Sequence, residues 1–249
     1  MARRDSKAQL VALIDRAGLG APARAIYARV SPLAKRVARD DSLTRALMAH
    51  QLRADANVVD IGAHDGAFLA EAYRCAPQGH HVAIEPIPDK AEALRVRFPD
   101  AEVHHLALSD ETTTAQFTLY VNDPQQSGLK ARDHMGDAEA MTFDIDVKPL
   151  DDVLAADRPV ALIKIDVEGA EHQVLAGARR TIAAWQPTLV FEHGIGGIEY
   201  FGKGPGDLYD LVVTDYGYRI FDIEGDGPYT RTQFVDVFDK PLWMFVAHP

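Results

Sequence analysis

Apolar positions along this chain follow two rhythms, and the change from one to the other falls near residue 55. Before it the spacing is helical: Leu10, Leu13, Ile14 and Ala17 share one stripe of a helix over residues 7–17. Gly18 and Gly20 end that helix, and Pro22 suits the first turn of a second one running to about Val30. Ser31-Pro32 opens a third stretch, and Asp41-Ser42 predicts the cap of a fourth helix over 43–52. Residues 1–55 are therefore predicted to form an α-helical extension to a domain over 56–249.

From residue 57 short β-branched runs alternate with amphipathic ones. Strands are predicted at 57–61, 81–85, 102–107, 160–166, 187–192, 217–222 and 241–247, and helices at 66–75, 88–97, 170–184 and 204–215. Such alternation predicts an α/β sheet with helices on both faces. The last two strands follow each other across Glu224-Gly225-Asp226-Gly227-Pro228, with no helix expected between them. That predicts a mostly parallel, Rossmann-like sheet closed by an antiparallel terminal hairpin. Residues 111–150 break the rhythm: Phe117, Leu119 and Val121 alternate, as do Phe143, Ile145 and Val147. The polar segment 122–142 between them is long for a compact domain, and long loops are usually functional. It precedes the fourth sheet strand, which predicts a substrate lid over the carboxyl edge.

Composition narrows the class. No apolar run approaches the ~20 residues of a membrane span, and the opening Met-Ala-Arg-Arg-Asp-Ser-Lys lacks the apolar core of a signal peptide. The one cysteine, Cys75, has no partner for a disulfide or a metal cluster, which fits a reducing cytoplasm. The net charge of −11 is uneven: residues 1–53 hold 11 Lys/Arg against 4 Asp/Glu, the remainder 15 against 33. So acidic a body argues against a nucleic-acid partner. The basic extension is read as a helical cap with a solvated face, with an anionic substrate, a membrane surface or a partner as alternatives.

The chemistry concentrates in two stretches. In Val58-Val59-Asp60-Ile61-Gly62-Ala63-His64-Asp65-Gly66 a buried strand ends at an acid and breaks into a glycine-punctuated turn before a helix. This geometry sets a ligand against free amides at a helix N-terminus. Glu85-Pro86 ends the second strand, where a carboxylate typically receives a ribose diol. A dinucleotide fingerprint needs a glycine where His64 stands. Asp60 in the turn would repel a pyrophosphate and suits a cationic amino-acid moiety. The second stretch is Lys164-Ile165-Asp166-Val167-Glu168-Gly169-Ala170-Glu171. A lysine inside a buried strand is costly unless paired, and Asp60 on a neighbouring strand is the expected partner. Glu168 and Glu171 are read as opening the next helix, where its dipole favours carboxylates.

Val59-Asp60-Ile61-Gly62-Ala63, Glu85-Pro86, Ala107-Leu108-Ser109-Asp110, Pro149-Leu150-Asp151-Asp152-Val153, Lys164 to Glu171 and Leu189-Val190-Phe191-Glu192 resemble, in order, the FkbM family of methyltransferases. The resemblance covers about residues 57–195. It implies a class I methyltransferase fold, S-adenosylmethionine as methyl donor, and O-methylation of a small molecule, sugar, glycolipid or secondary metabolite. It assigns Asp60, Gly62 and Gly66 to the methionine end of the cofactor and Glu85 to the ribose, with Ala63, His64 and Pro86 also among the cofactor-binding residues. Ser109 and Asp110 would lie against the adenine. His64 departs from the asparagine more common in the family, so it serves either cofactor binding or catalysis.

An aliphatic hydroxyl needs a base or a metal near neutral pH. Lys164, Asp166, Glu192 and His193 are the candidate catalytic residues, with His193 suited to a base by its ordinary pKa. Asp166 and Glu192 are also candidate oxygen ligands for Mg²⁺. Two rival readings are an NAD-dependent oxidoreductase and a catalytically silent cofactor-binding scaffold. Homo-oligomerisation stays open, since Tyr200, Phe201, Trp243 and Phe245 suit a core or an interface equally.

Overall fold

The computed structural model describes residues 32–132, 138–240 and 244–249. The chain divides into a compact unit over residues 1–46 and another over 47–249. The helices expected at 7–17 and 22–30 lie outside the described residues. In place of a cap at Asp41-Ser42 there is one continuous helix, α1, Pro32–Gln51. Ser42 does not cap it: its hydroxyl donates to the Ala38 carbonyl one turn back, at 2.7 Å, a bond a serine makes within a helix.

The larger unit is built on a seven-stranded sheet. In chain order its strands are β1 (Val58–Ile61), β2 (Val82–Ile84), β3 (Glu102–His104), β7 (Leu162–Ile165), β8 (Thr188–Glu192), β9 (Arg219–Asp222) and β10 (Met244–His248). Across the sheet the order is β3-β2-β1-β7-β8-β10-β9. All neighbours are parallel except β10, which runs antiparallel to both β8 and β9. This is the mostly parallel sheet with an antiparallel end that the sequence predicts.

The central strands are buried almost throughout, so the sheet is packed on both faces. Ala83 joins Leu69 of helix α2 (Ala67–Cys75) and Leu94 of helix α3 (Pro88–Arg97) in one cluster. Val82 and Ile84 join Val59, Ile61, Ile163, Ile165, Leu189 and Phe191 in the larger one. That cluster also takes Val174 and Leu175 of α5 (Glu171–Ala176) and Ile182 of α6 (Arg179–Trp185).

Several expectations change. The strand expected over 102–107 splits, because β4 (Ala107–Leu108) leaves the main sheet to pair with β6 (Ala140–Lys148). β6 pairs in turn with β5 (Thr113–Tyr120), making a second, three-stranded sheet with its own core of Phe117, Ile145 and Val147. The helix expected over 170–184 is broken into α5 and α6. At Gly177, between them, a Cβ would overlap the Ser109 carbonyl oxygen. The break is clamped by Asp151, at the start of α4 (Leu150–Val153), whose carboxylate accepts the amides of Arg180 and Thr181 at 2.7 and 3.0 Å.

The terminal strands pair antiparallel as expected, but the connection between them holds a helix, α8 (Arg231–Asp236). The signal was in the sequence: Thr230 and Gln233 form a reciprocal capping box. The helix expected over 204–215 is α7 (Pro205–Tyr209) widening into a π-helical stretch, Asp210–Asp215.

Candidate active site

The carboxyl ends of β1, β2, β7 and β8 converge. β1 and β7 are neighbours with Asp60 opposite Lys164 in register. The Lys164 ammonium lies 3.5 Å from Asp60 Oδ1 and 3.2 Å from Asp166 Oδ2, and donates to the Gly62 carbonyl at 2.8 Å. Burial opposes its charge, yet Asp166 and Asp60 outweigh burial and hold the lysine above its usual range. Asp60 is fully buried, and neither carboxylate oxygen has a hydrogen-bond partner; Lys164 reaches it only as an ion pair at the limit of contact. Burial pushes its pKa up against the pull of Lys164. A buried carboxylate that is under-satisfied is expensive.

The turn after β1 is shaped for close approach. Gly62 has φ +75°, and a Cβ there would overlap the backbone oxygen of Asp166. The amides of Gly62 and Ala63 donate to Ile84 O at 3.0 and 3.1 Å, tying the turn to β2. Glu85, 2% exposed, accepts the His64 amide at 2.7 Å and the Ile87 amide at 2.8 Å. Burial raises its pKa, and those two amides oppose the rise. Gly66, also left-handed at φ +72°, begins α2; a Cβ there would press on Leu94 and Phe98. His64 itself sits at φ +47°, with Nδ1 3.2 Å from Asp65 Oδ2 and a buried Nε2 that has no partner. Burial, then Lys90, keep it below its usual pKa.

The remaining cofactor candidates are anchored around this centre. The Pro86 carbonyl accepts a hydrogen bond from His105 Nε2 at 3.0 Å. The Ser109 hydroxyl donates to Asp110 at 3.1 Å, while the Ser109 carbonyl packs on Gly177 at the break between α5 and α6.

At the ends of β7 and β8, one carboxylate oxygen from each of Asp166, Glu168 and Glu192 lies within 4.8 Å of the others, a grouping able to hold a metal ion. Burial, then the charges of Asp166 and Glu168, push Glu192 up to about 9. Burial pushes Glu171 up to about 7 and Glu168 to about 8, the latter against the pull of Arg132. Glu168 does not open a helix: it occupies a left-handed turn at φ +59°. Only Glu171 begins α5, and its carboxylate accepts the Gly169 amide at 2.9 Å. Two cations already serve the cluster, Lys164 at Asp166 and Arg132 at Glu168, which leaves less charge for a divalent ion to neutralise. Arg132 was not a candidate on sequence; it arrives from the connection between β5 and β6.

His193 stands apart from the carboxylates. It is 2% exposed, with its ring 5.1 Å from that of Phe234, 4.9 Å from Phe238 and 6.3 Å from Phe245. Burial pushes it down to about 4, and its Nε2 has no partner.

The profile of the methyltransferase FkbM domain matches residues 60–220. A protein from Beauveria bassiana (strain ARSEF 2860) named Methyltransferase 1 is 28% identical over 145 residues, which are 49% of this chain and 58% of that protein. Methyltransferase FkbM from Methylobacillus flagellatus KT is 22% identical, with a TM-score of 0.48 over 80% of this chain and 45% of its own. The O-methyltransferase from Bacillus cereus in complex with SAH is 14% identical, with a TM-score of 0.45 over 88% and 81%. The chain thus spans little more than half of the curated relative and less than half of the FkbM structure.

Proposed function

The chain belongs to the methyltransferase FkbM domain family, and on that premise we propose that it transfers the methyl group of S-adenosylmethionine to a hydroxyl of a sugar, glycolipid or other small metabolite. One observation carries the cofactor reading: Asp60, fully buried with both oxygens lacking a hydrogen bond, beside a turn where Gly62 admits no Cβ. A buried anion left unsatisfied fits the cationic methionine end of this cofactor. Asp60 and the turn from Gly62 to Gly66 would hold that end. Glu85, fixed by two amides, would present its remaining lone pairs to the ribose diol. Pro86, Ser109 and Asp110 complete the proposed cofactor set.

The cofactor supplies a methyl group activated by a sulfonium. The chain's part is alignment and proton removal. The Asp166–Glu192 pair would take up the proton of the acceptor hydroxyl. The geometry favours that pair over His193, whose ring is enclosed by phenylalanines. A second reading rests on the spacing of Asp166, Glu168 and Glu192: a divalent cation there would lower the pKa of the acceptor hydroxyl.

Calorimetric titration with S-adenosylhomocysteine, NADH and EDTA tests the assignment. Micromolar binding of S-adenosylhomocysteine, none of NADH, and a clear loss of affinity in Glu85→Ala are expected. Binding of NADH alone would overturn it. Methyl transfer unaffected by EDTA would remove the cation reading.

A further inference from the structure

Two carboxylates fix His64 in the turn after β1. Glu85 accepts its amide at 2.7 Å, and Asp65 Oδ2 lies 3.2 Å from its Nδ1. Asp65 is fixed in turn by α3: Lys90 donates to its Oδ1, and Arg97 donates to its carbonyl at 2.6 Å. The Lys90 hydrogen bond holds the Asp65 carboxyl below its usual range, so it is ionised near neutral pH and can only accept. The Nδ1 that faces it must therefore carry the ring proton. Burial, then Lys90, keep the imidazole below its ordinary pKa, which leaves a lone pair on Nε2. That nitrogen is covered and has no partner, in a side chain otherwise 25% exposed. A covered acceptor left bare is costly and calls for a donor.

We infer that His64 is a binding residue for the ammonium group of the cofactor, and that Asp65 and Lys90 are the positioning residues that keep its Nε2 bare. This rests on the methyltransferase reading above and names the contact that one side chain makes in it. Asp60 and His64 flank Gly62 and offer three acceptor atoms without a hydrogen bond: both oxygens of the carboxylate, and Nε2. An ammonium brings three N–H donors and a positive charge. A ribose hydroxyl brings one donor and no charge, and Glu85 is the group proposed for the diol. Asp166 and Lys164 both act on the imidazole, so the ring lies within electrostatic reach of the centre where β1 and β7 meet. An uncharged acceptor adds a hydrogen bond there without adding to the buried negative charge of Asp60. With its bare nitrogen taken by the cofactor, the imidazole is no base for the acceptor.

Nitrogen-15 NMR of the histidine rings in the full chain reads the tautomer directly, at roughly one unit above the ordinary imidazole pKa. His64→Asn assigns the resonances. Expected are a protonated Nδ1 and a bare Nε2. S-adenosylhomocysteine should move the Nε2 resonance, and methylthioadenosine, which keeps the ribose and lacks the amino-acid moiety, should leave it in place. Asp65→Ala should let the proton move to Nε2 in part of the population, which a merely structural aspartate would not do. Calorimetry supplies the affinities. His64→Gly, which suits the left-handed backbone, should weaken S-adenosylhomocysteine about tenfold, the worth of a hydrogen bond to a charged group, and leave methylthioadenosine within about twofold. His64→Asn, whose amide oxygen still accepts, should recover most of that loss. A protonated Nε2 in the free protein would overturn the inference, and so would equal weakening of both ligands by His64→Gly, which places the contact at the ribose. An unchanged tautomer in Asp65→Ala would remove Asp65 and Lys90 from it. Failure of the unaltered protein to bind S-adenosylhomocysteine would instead remove the methyltransferase reading beneath it.

Discussion

Gly62 shows how much one missing carbon decides. Its φ of +75° lies where an L-residue costs about 1–2 kcal/mol, and its Cβ position is taken by the Asp166 backbone. Gly62→Ala should lose on the order of 3 kcal/mol by urea unfolding, strain and overpacking together. His193 makes a different prediction. Its folded pKa of about 4 lies below the unfolded value, so the unfolded chain binds the extra proton. Stability from this residue is complete above about pH 6.5 and falls as pH drops toward 4, by about 3 kcal/mol in all. His193→Phe should flatten that slope in unfolding curves taken at pH 7 and pH 5; an unchanged slope would show that another group titrates there. Residue by residue, the site was legible where a charge stood in a buried strand. Lys164 had to find Asp60, and it does. Arg132 and Glu168 were not legible, because their pairing depends on a left-handed turn and on a connection 36 residues away.

At the scale of elements, periodicity carried most of the sheet, since the central strands β1, β2 and β7 are short, largely β-branched runs whose alternate residues bury on opposite faces. It failed where a backbone contact overrode a helical pattern. Residues 170–184 read as one helix, but Gly177 lies against Ser109, and no periodicity records that approach. The restart at α6 depends on Asp151, which accepts two amides and the Thr181 hydroxyl at 2.7 Å. Asp151→Ala should cost about 1–2 kcal/mol, the loss expected of a helix cap, measurable by chemical denaturation. A change inside experimental error would show that packing alone sets the break. The split of β3 from β4 was hidden for a related reason: a continuous apolar run says that a strand is buried, not which sheet it joins.

For the whole molecule, the unit over residues 47–249 contains the seven-stranded sheet, the second sheet and all the candidate residues. We expect a fragment of those residues to unfold cooperatively and to bind S-adenosylhomocysteine within a few-fold of the full chain. Loss of cooperative unfolding would show that the preceding helical residues are part of the fold. At the mouth of the site one contact has a wider consequence. Gly169 and Gly197 touch backbone to backbone, and a Cβ at Gly169 would overlap the other chain segment. The two strand-end turns are thus riveted at a spacing no side chain can widen. Under the proposed function, room for a bulkier acceptor is to be sought instead at Ile195, 72% exposed on its glycine-flanked turn, or at Lys130, which stands over the Phe201 ring. Libraries meant to change the acceptor should vary those two positions and leave the rivet alone.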